Sequence, residues 1–392
     1  MKKKIPAKRK LSADKTFIGL TYFLLLFGSL MIYNSTVIYS QNIYGNAYKF
    51  AFLHLGWLAL GLVGFVFFLS FDYKKLIGWS YFLFSLSLIF LFVLAIFGLI
   101  PCESSSSFAP CVNGANRWFY LNPKPLPEIP LLGVFGFQPS EFAKFALIIY
   151  LASQITRNLS RKVDSFTVYA VSTFLTAGLI LMQPNMSTAA IIIIIGTVVY
   201  FASGAPLKPF VYLTPVIIAV VVLAMLVSPY RRERLFTLLE RGQGRQEMLE
   251  SGYHINQVSI ALGSGGIFGI GFGQSRQKYQ YLPEVASDSI FAIIGEEFGY
   301  IGTLAVTSVF MYYIYRGILI AKKSEDLLGK LLVIGVISWI GIQFLVNVSA
   351  MARIIPLTGI PIPLISYGGS SLVFSLMGLG IVGNVSRQSN DV

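Results

Sequence analysis

The feature that most constrains this chain is a series of apolar blocks, each long enough to cross a lipid bilayer. A transmembrane α-helix needs about 20 predominantly apolar residues. Ten such blocks follow one another, at 16–38, 50–70, 77–99, 139–155, 166–182, 188–203, 209–228, 288–315, 330–352 and 366–386. The blocks are continuous rather than alternating, which excludes a membrane β-barrel. We therefore predict an all-α polytopic membrane protein with about ten transmembrane helices.

The distribution of Lys and Arg predicts the orientation of these helices. Residues 1–15 form a strongly basic tail, and basic segments stay on the cytoplasmic side of a membrane. The apolar block that follows is long and lacks a small-residue cleavage site, so the tail precedes an anchor rather than a cleavable signal. An even number of crossings also returns the short tail 387–392 to the cytoplasm. Between the tails, 16–386 form one membrane domain.

Two loops on the predicted outer face, 100–138 and 229–287, are much longer than a helix connection requires. The second carries an excess of basic residues: Arg231, Arg232, Arg234, Arg241, Arg245, Arg276 and Lys278. Solvation of a long loop explains part of this excess, and an anionic partner at the outer face explains the remainder. The first loop holds Cys102 and Cys111, which can form a disulfide in an oxidising compartment, although their spacing alone does not establish one. Its segment NGANRWFYL can lie flat at the membrane interface.

Ionisable groups inside membrane spans are costly, and each is therefore a functional candidate. Glu141 and Lys144 are three residues apart and can neutralise one another on one helix face, so a structural ion pair is the alternative. Glu296 and Glu297 are expected to face the bundle interior. Asp288 stands where the second long loop meets a helix, and its alternative role is that of a helix N-cap.

Glycine, proline and amide residues mark three further segments. The glycine-rich segment 263–273 lacks the strand and βαβ unit of a dinucleotide site. Its backbone N–H groups can bind a phosphate, but tight turns and close helix contacts are the commoner reason for such glycines. Gln343 and Asn347 lie one turn apart in an apolar block, and the tract 356–371 contains three prolines and three glycines. Individually, such residues join or break membrane helices.

Four blocks taken together resemble the FtsW/RodA/SpoVE family, also called SEDS proteins. The blocks are NGANRWFYL with FQPSEFAKFALIIYLA, then LMQPNMSTA at 181–189, the segment 252–302, and NVSAMARIIPLTGIPIPLISYGGSS at 347–371. The match runs from about Asn113 to Arg387. GFGQSRQKYQYLPE and the ending GNVSRQ are more similar to the division branch, FtsW, than to the elongation branch, RodA.

The resemblance implies a bacterial cytoplasmic-membrane glycosyltransferase that polymerises lipid II, with Asp288 as catalytic base. It also implies a class B penicillin-binding protein and other division proteins of the membrane as partners, and no nucleic acid. A divalent cation can assist at the diphosphate, but the sequence establishes no cofactor. The expected substrate contacts are Arg231, Arg232, Arg276, Lys278, Trp118, Glu141, Lys144, Gln138 and Ser366. Positions of structural or undecided role are Glu296, Glu297, Asn347, Gly368 and Gly369.

Several positions depart from the family pattern. Ala286 and Ser287 stand where the family usually has His-Thr before the essential acid. Asn185 replaces the usual aspartate of QPD, which argues against a catalytic carboxylate there, and Arg353 stands in the usual place of a glycine. These changes indicate a divergent lineage that keeps Asp288.

Two other functions remain open at this stage. A lipid II flippase would use the same anionic substrate, with Glu141, Lys144, Glu296 and Glu297 along a pathway; the absence of inverted-repeat signs argues against it. A non-catalytic scaffold would only recruit the penicillin-binding partner. Small residues favour helix packing in lipid, so the expected partner surface comprises Gly341, Ser349, Ala350, Gly378, Gly380 and Gly383.

Overall fold

The computed structural model describes 13–102, 106–112, 114–123, 126–129, 133–161, 163–206, 250–279, 282 and 284–388. Three of the sequence-based predictions lie outside these residues: most of the basic tail 1–15, the apolar block 209–228, and the substrate contacts Arg231 and Arg232. The final residues of the tail 387–392 also lie outside the described part.

Helices dominate the described chain. They are α1 (Lys15–Tyr44), α2 (Lys49–Ser70), α3 (Leu76–Phe97), α4 (Pro139–Ser160), α5 (Phe166–Leu181), α6 (Met186–Ala202), α7 (Glu250–Ser264), α8 (Ile290–Lys323), α9 (Leu327–Met351) and α10 (Gly369–Gln388). All but α7 coincide with predicted apolar blocks, and α7 lies inside the predicted loop 229–287. In the described residues, α1, α2, α3, α8, α9 and α10 are long and apolar enough to cross a membrane, while α5 and α6 are apolar but shorter. The chain is a multi-pass membrane protein.

Local sequence explains where several helices begin and end. The Asp14 carboxylate accepts the N–H of Phe17 at 2.9 Å and caps α1, which ends at Gly45 with a left-handed φ of 65°. The Asn185 side chain accepts the N–H of Thr188 at 3.2 Å and caps α6. The residue that replaces the family's aspartate therefore has a capping role.

Helix α4 lies at the centre of the bundle and contacts α3, α5, α6, α9 and α10. Nearly every residue from Pro139 to Ile155 is buried. Its polar side chains therefore face protein rather than lipid, which is how a helix carrying Glu141 and Lys144 is accommodated.

Gly378, Gly380 and Gly383 of α10 are buried inside the bundle, which corrects the partner surface expected at these three residues. Helix α10 is largely buried and packs along α2. A Cβ on Gly380 would meet the backbone of Phe65, and one on Gly383 would meet Leu69. On the other side, a Cβ on Gly378 would meet Val336 at 3.2 Å. These residues let the helices of the bundle approach one another.

The two ends of the bundle are held by different contacts. At one end, called here the Asp14 end, Arg316 of α8 pairs with Asp14, and the amide of Asn384 donates to the carbonyl of Leu69 at 2.7 Å. The opposite end carries the residues around Asp288 and the loop between α3 and α4. It also carries the segment that joins α9 to α10, called here the tract 352–368. We call it the Asp288 end.

The loop between α3 and α4 contains short strands, which corrects the all-α prediction for this segment. Antiparallel pairs join β1 (Cys111–Val112) to β2 (Ala115–Asn116), and β3 (Phe119–Tyr120) to β4 (Gly136–Phe137). The sulfur atoms of Cys102 and Cys111 are bonded to each other. Within the segment NGANRWFYL, strand residues are therefore found at Ala115–Asn116 and Phe119–Tyr120.

Helix α8 is broken at Gly299, whose φ of 67° and ψ of −163° are not helical. The glycine-rich segment after α7 packs against the break and exchanges backbone hydrogen bonds with it. The bonds are Ile270 N–H to Glu296 O at 3.0 Å, Gly271 N–H to Glu297 O at 3.0 Å, Tyr300 N–H to Gly266 O at 2.9 Å and Ile301 N–H to Ile267 O at 3.1 Å. The glycines of 263–273 therefore serve close backbone contact.

Gly269 tests this contact, because its φ is +82° and an added Cβ would run into the carbonyl of Glu297. We expect Gly269→Ala to lower the free energy of unfolding by more than about 1–2 kcal/mol, the cost of left-handed backbone alone. The measurement is the thermal unfolding midpoint in detergent. Gly263→Ala is the matched control, since an added Cβ there meets nothing within 4 Å, and its midpoint should stay unchanged or rise slightly. Equal midpoints for both variants would contradict the contact.

Candidate functional site

Asp288 lies in the turn that leads into α8 and is only 6% exposed. The N-cap of α8 is Ser289, which makes no side-chain capping bond, so the capping role considered for Asp288 is not the one observed. One carboxylate oxygen of Asp288 lies 3.9 Å from the position that a Cβ on Gly359 would occupy. Because Gly359 has no side chain, it leaves space beside the Asp288 carboxylate.

The tract 352–368 meets this turn through its backbone. The Tyr367 N–H donates to the carbonyl of Ala286 at 2.7 Å. Within the tract, the Ser366 hydroxyl accepts the N–H of Ile362 at 2.8 Å and closes a turn. Ser366, predicted as a substrate contact, is buried and uses its hydroxyl inside the protein. The tract therefore forms one wall beside Asp288.

Gly368 and Gly369 lead from this tract into α10. Gly368 is partly exposed, and an added Cβ would lie 3.6 Å from Ser371. Gly369 is covered by the indole of Trp57, which an added Cβ would contact at 2.5 Å. Gly369 therefore permits the close approach of α2 to the start of α10.

His254 reaches the same turn from α7 and was missed as a site candidate in the sequence. Its Nε2 atom is hydrogen-bonded to the Ser289 hydroxyl at 2.6 Å. Spacing along the chain gives no sign of this contact, since 35 residues separate the pair. A single hydrogen bond places an imidazole next to the residue that follows Asp288.

Glu141 and Lys144 form a buried ion pair at 2.7 Å. The Lys144 ammonium also donates to Gln343 at 2.9 Å and lies 4.9 Å from the Trp339 ring centroid. The Gln343 amide in turn donates to the carbonyl of Pro361 at 3.0 Å. This network joins α4 to α9 and to the tract 352–368, as the structural ion-pair alternative requires.

A second buried network surrounds Glu296 and Glu297. The Glu296 carboxylate accepts the Ser275 hydroxyl and the N–H of Arg276, the latter at 3.0 Å. The Glu297 carboxylate accepts the amide of Asn34 at 2.5 Å and pairs with Lys278 at 3.4 Å. Both acids therefore hold the segment 273–278 against α1 and α8.

Lys278 was expected to face the substrate, and the structure corrects this. The residue is only 4% exposed, and its ammonium donates to Asn34 at 3.0 Å and to the carbonyl of Gly273 at 2.5 Å. A cation so enclosed neutralises Glu297. Arg276, two residues away, is exposed and remains available to an anionic ligand.

Gln138 and Trp118 lie at the junction of the α3–α4 loop and the bundle. Gln138 is the residue before α4, and its N–H donates to the Ser370 hydroxyl at 3.1 Å. The rings of Trp118 and Tyr120 pack on Gly136, where an added Cβ would lie 3.2 Å and 3.3 Å from them. Burial raises the pKa of the Tyr120 phenol above its ordinary value.

The chemical content of the Asp288 end is a buried carboxylate, an adjacent imidazole and an exposed guanidinium. Within the described ranges, no group of three or more His, Cys, Asp or Glu residues is arranged to hold a metal ion. This set can accept a proton and bind an anion.

The role of Lys278 can be tested by stability. Lys278→Met leaves the Glu297 carboxylate buried without its cation, and such losses cost about 3–5 kcal/mol. We therefore expect a strongly lowered thermal midpoint in detergent. The double variant Lys278→Met with Glu297→Gln removes both charges and should recover much of the loss. A wild-type midpoint for Lys278→Met alone would show that the ammonium does not neutralise Glu297.

Comparison with known proteins gives matches over nearly the whole chain. The family model described as "Cell cycle protein", of the FtsW/RodA/SpoVE type, matches residues 15–391. Stage V sporulation protein E of Bacillus subtilis is 34% identical over 385 residues, covering 97% of this chain and 99% of that protein. The "Probable peptidoglycan glycosyltransferase FtsW" of the same organism is 36% identical over 388 residues, covering 96% and 91%.

Solved structures agree with this similarity. A chain of the structure described as "Structural coordination of polymerization and crosslinking by a peptidoglycan synthase complex" superposes with a TM-score of 0.73 at 26% identity, covering 96% of this chain and 98% of that one. The rod shape determining protein RodA of Thermus thermophilus superposes with a TM-score of 0.65 at 24% identity, covering 97% and 99%. The second likeness shows a shared fold.

Proposed function

Because this chain belongs to the FtsW/RodA/SpoVE family, we propose that it is a peptidoglycan glycosyltransferase that polymerises lipid II into glycan strands. The reaction takes place at the outer face of the bacterial cytoplasmic membrane. The observation that carries the proposal is the buried carboxylate of Asp288, which lies in the turn before α8 and beside the tract 352–368. Relatives named as peptidoglycan glycosyltransferases support the activity.

In the proposed reaction, the sugar 4-hydroxyl of one lipid-linked disaccharide attacks the anomeric carbon of another. A bond forms between that oxygen and the carbon, and the bond to the diphosphate breaks, with the electron pair leaving on the diphosphate. Asp288 accepts the hydroxyl proton as general base. Cations near the leaving group stabilise its growing charge. Exposed Arg276 is our candidate among the described residues, and Arg231 and Arg232 are further candidates from the sequence.

The proposed topology has ten crossings and both termini in the cytoplasm. The basic tail next to α1 supports a cytoplasmic position for the Asp14 end. The Asp288 end then faces outward, where the strands of the α3–α4 loop and the disulfide of Cys102 and Cys111 also lie. An oxidising outer compartment suits that disulfide.

We assign the chain to cell division, with elongation as the alternative. The similarity to relatives named FtsW and the segments GFGQSRQKYQYLPE (271–284) and GNVSRQ support the first role. The expected partner is a class B penicillin-binding protein, because the similar solved chain comes from a synthase complex that polymerises and cross-links peptidoglycan. Other membrane proteins of the division complex are also expected.

A lipid II flippase is the competing function. Its proposed pathway residues Glu141, Lys144, Glu296 and Glu297 are engaged in the two buried networks, which favours a structural role for them. Purified protein, with and without a cognate partner, is reconstituted into vesicles with fluorescent lipid II. Glycan ladders support the polymerase, whereas transfer between leaflets without polymer would replace it with the flippase.

The base assignment predicts that Asp288→Asn lowers the polymerisation rate at least about 100-fold, since general base catalysis contributes that much or more. Folding and partner binding should be unchanged, because the substitution is nearly isosteric. Asp326→Asn, the same change at the cap of α9 at the Asp14 end, is the control and should retain wild-type activity. A rate above about a tenth of wild type for Asp288→Asn would rule out Asp288 as the base.

The anion-binding assignment predicts that Arg276→Gln raises KM for lipid II about 2- to 5-fold, since an exposed charge pair contributes up to about 1 kcal/mol. Added salt should raise the wild-type KM more than that of the variant, because it screens an attraction that the variant lacks. Lys322→Gln removes an exposed cation from the Asp14 end and should leave KM unchanged. If Arg276→Gln and wild type share one KM at all salt concentrations, Arg276 does not bind the substrate.

A further inference from the structure

Asn347 of α9 joins two segments that meet beside Asp288. Its amide nitrogen donates one hydrogen bond to the carbonyl of Asp288 at 2.7 Å and another to the carbonyl of Ile360 at 2.7 Å. The side chain is 1% exposed. The inference rests on the polymerase function above: we propose that Asn347 is the positioning residue that sets the place of Asp288 against the tract 352–368.

The chemistry of the carboxamide explains why an asparagine stands here. The NH₂ group supplies two donors on one nitrogen, and each is used on a different backbone carbonyl. The reverse orientation would turn the side-chain oxygen toward two carbonyl oxygens, so the acceptors fix the orientation of the amide. Aspartate has the same shape but offers acceptors only, and leucine offers neither.

The amide oxygen of Asn347 shows which half of the side chain is used. It is buried and has no hydrogen-bond partner among the described residues. A buried polar atom in this state costs free energy, and a residue selected for stability alone would avoid that cost. The donor pair is therefore the useful half of the side chain.

Other contacts restrict the same turn through the neighbours of Asp288. The Tyr367 N–H holds the carbonyl of Ala286, two residues before Asp288. Gly359, next to Ile360, leaves room beside the carboxylate. Asn347 is the described side chain that bonds to the backbone of Asp288 and of the tract at once. Without it the carboxylate can shift relative to the bound sugar, and a displacement near 1 Å can cost about 100-fold in rate.

The test compares Asn347→Leu with Asn384→Leu. Asn384 of α10 is also a buried helical asparagine whose amide donates to a backbone carbonyl, that of Leu69 at 2.7 Å, but it lies at the Asp14 end. Both variants should lose similar thermal stability. Initial polymerisation rates per folded molecule are measured over a range of lipid II concentrations in reconstituted vesicles.

We expect Asn347→Leu to lower kcat about 10- to 100-fold with KM within twofold of wild type, because the base moves while the anion contacts stay. Asn384→Leu should keep kcat within twofold. Hydrogen exchange of the amides of 284–290 should accelerate in Asn347→Leu alone. If Asn347→Leu does not fold, the smaller Asn347→Ser, which cannot reach both carbonyls, carries the same expectations.

Three outcomes would overturn the inference: an unchanged kcat for the Asn347 variant, an equal loss of kcat in both asparagine variants, or a change confined to KM. A wild-type protein that forms no polymer under any condition would instead refute the proposed function. The two failures are therefore distinguishable in one experiment.

Discussion

Every backbone polar group at membrane depth must find a partner within the protein, because lipid offers none. The break in α8 at Gly299 frees carbonyls and N–H groups that a continuous helix would have paired. The glycine-rich segment after α7 satisfies them with four reciprocal hydrogen bonds. Close approach of two backbones requires residues without a Cβ, which explains Gly265, Gly269 and Gly299 together. The glycine-rich segment 263–273 thus supplies backbone partners for the groups that the break in α8 leaves unpaired.

The same constraint governs the buried charges. A lone carboxylate in the bundle would be costly, and the acids of the two networks have buried partners. Glu141 has Lys144, while Glu297 has Lys278 and Asn34. Each network ties one wall of the Asp288 region: the first reaches the tract 352–368 through Gln343, and the second anchors the segment that presents Arg276. These polar groups therefore fix the positions of the segments that surround Asp288.

Much of this architecture could be predicted from the sequence, because apolar length and glycine or proline content act locally. The blocks 50–70 and 166–182 coincide almost residue for residue with α2 and α5. What could not be predicted depends on contacts distant in the chain. Lys278 and Arg276 are both basic residues of one loop. Only the folded structure shows that Lys278 is buried against Glu297. Likewise, the small residues of α10 suit a partner helix as well as they suit α2.

The arrangement at the Asp288 end also separates two tasks that one site must perform. The proposed general base needs a fixed position, and the turn that carries Asp288 is tied to α9, α7 and the tract through Asn347, His254 and Tyr367. The proposed lipid-linked substrate needs access, and exposed Arg276 lies on a segment whose backbone is hydrogen-bonded to Glu296. The ties through Asn347 and Tyr367 end on backbone carbonyls, and buried contacts are screened much less by salt than exposed ones. The proposed anion contact at Arg276 is exposed, so it can form and dissociate with each addition to a growing strand.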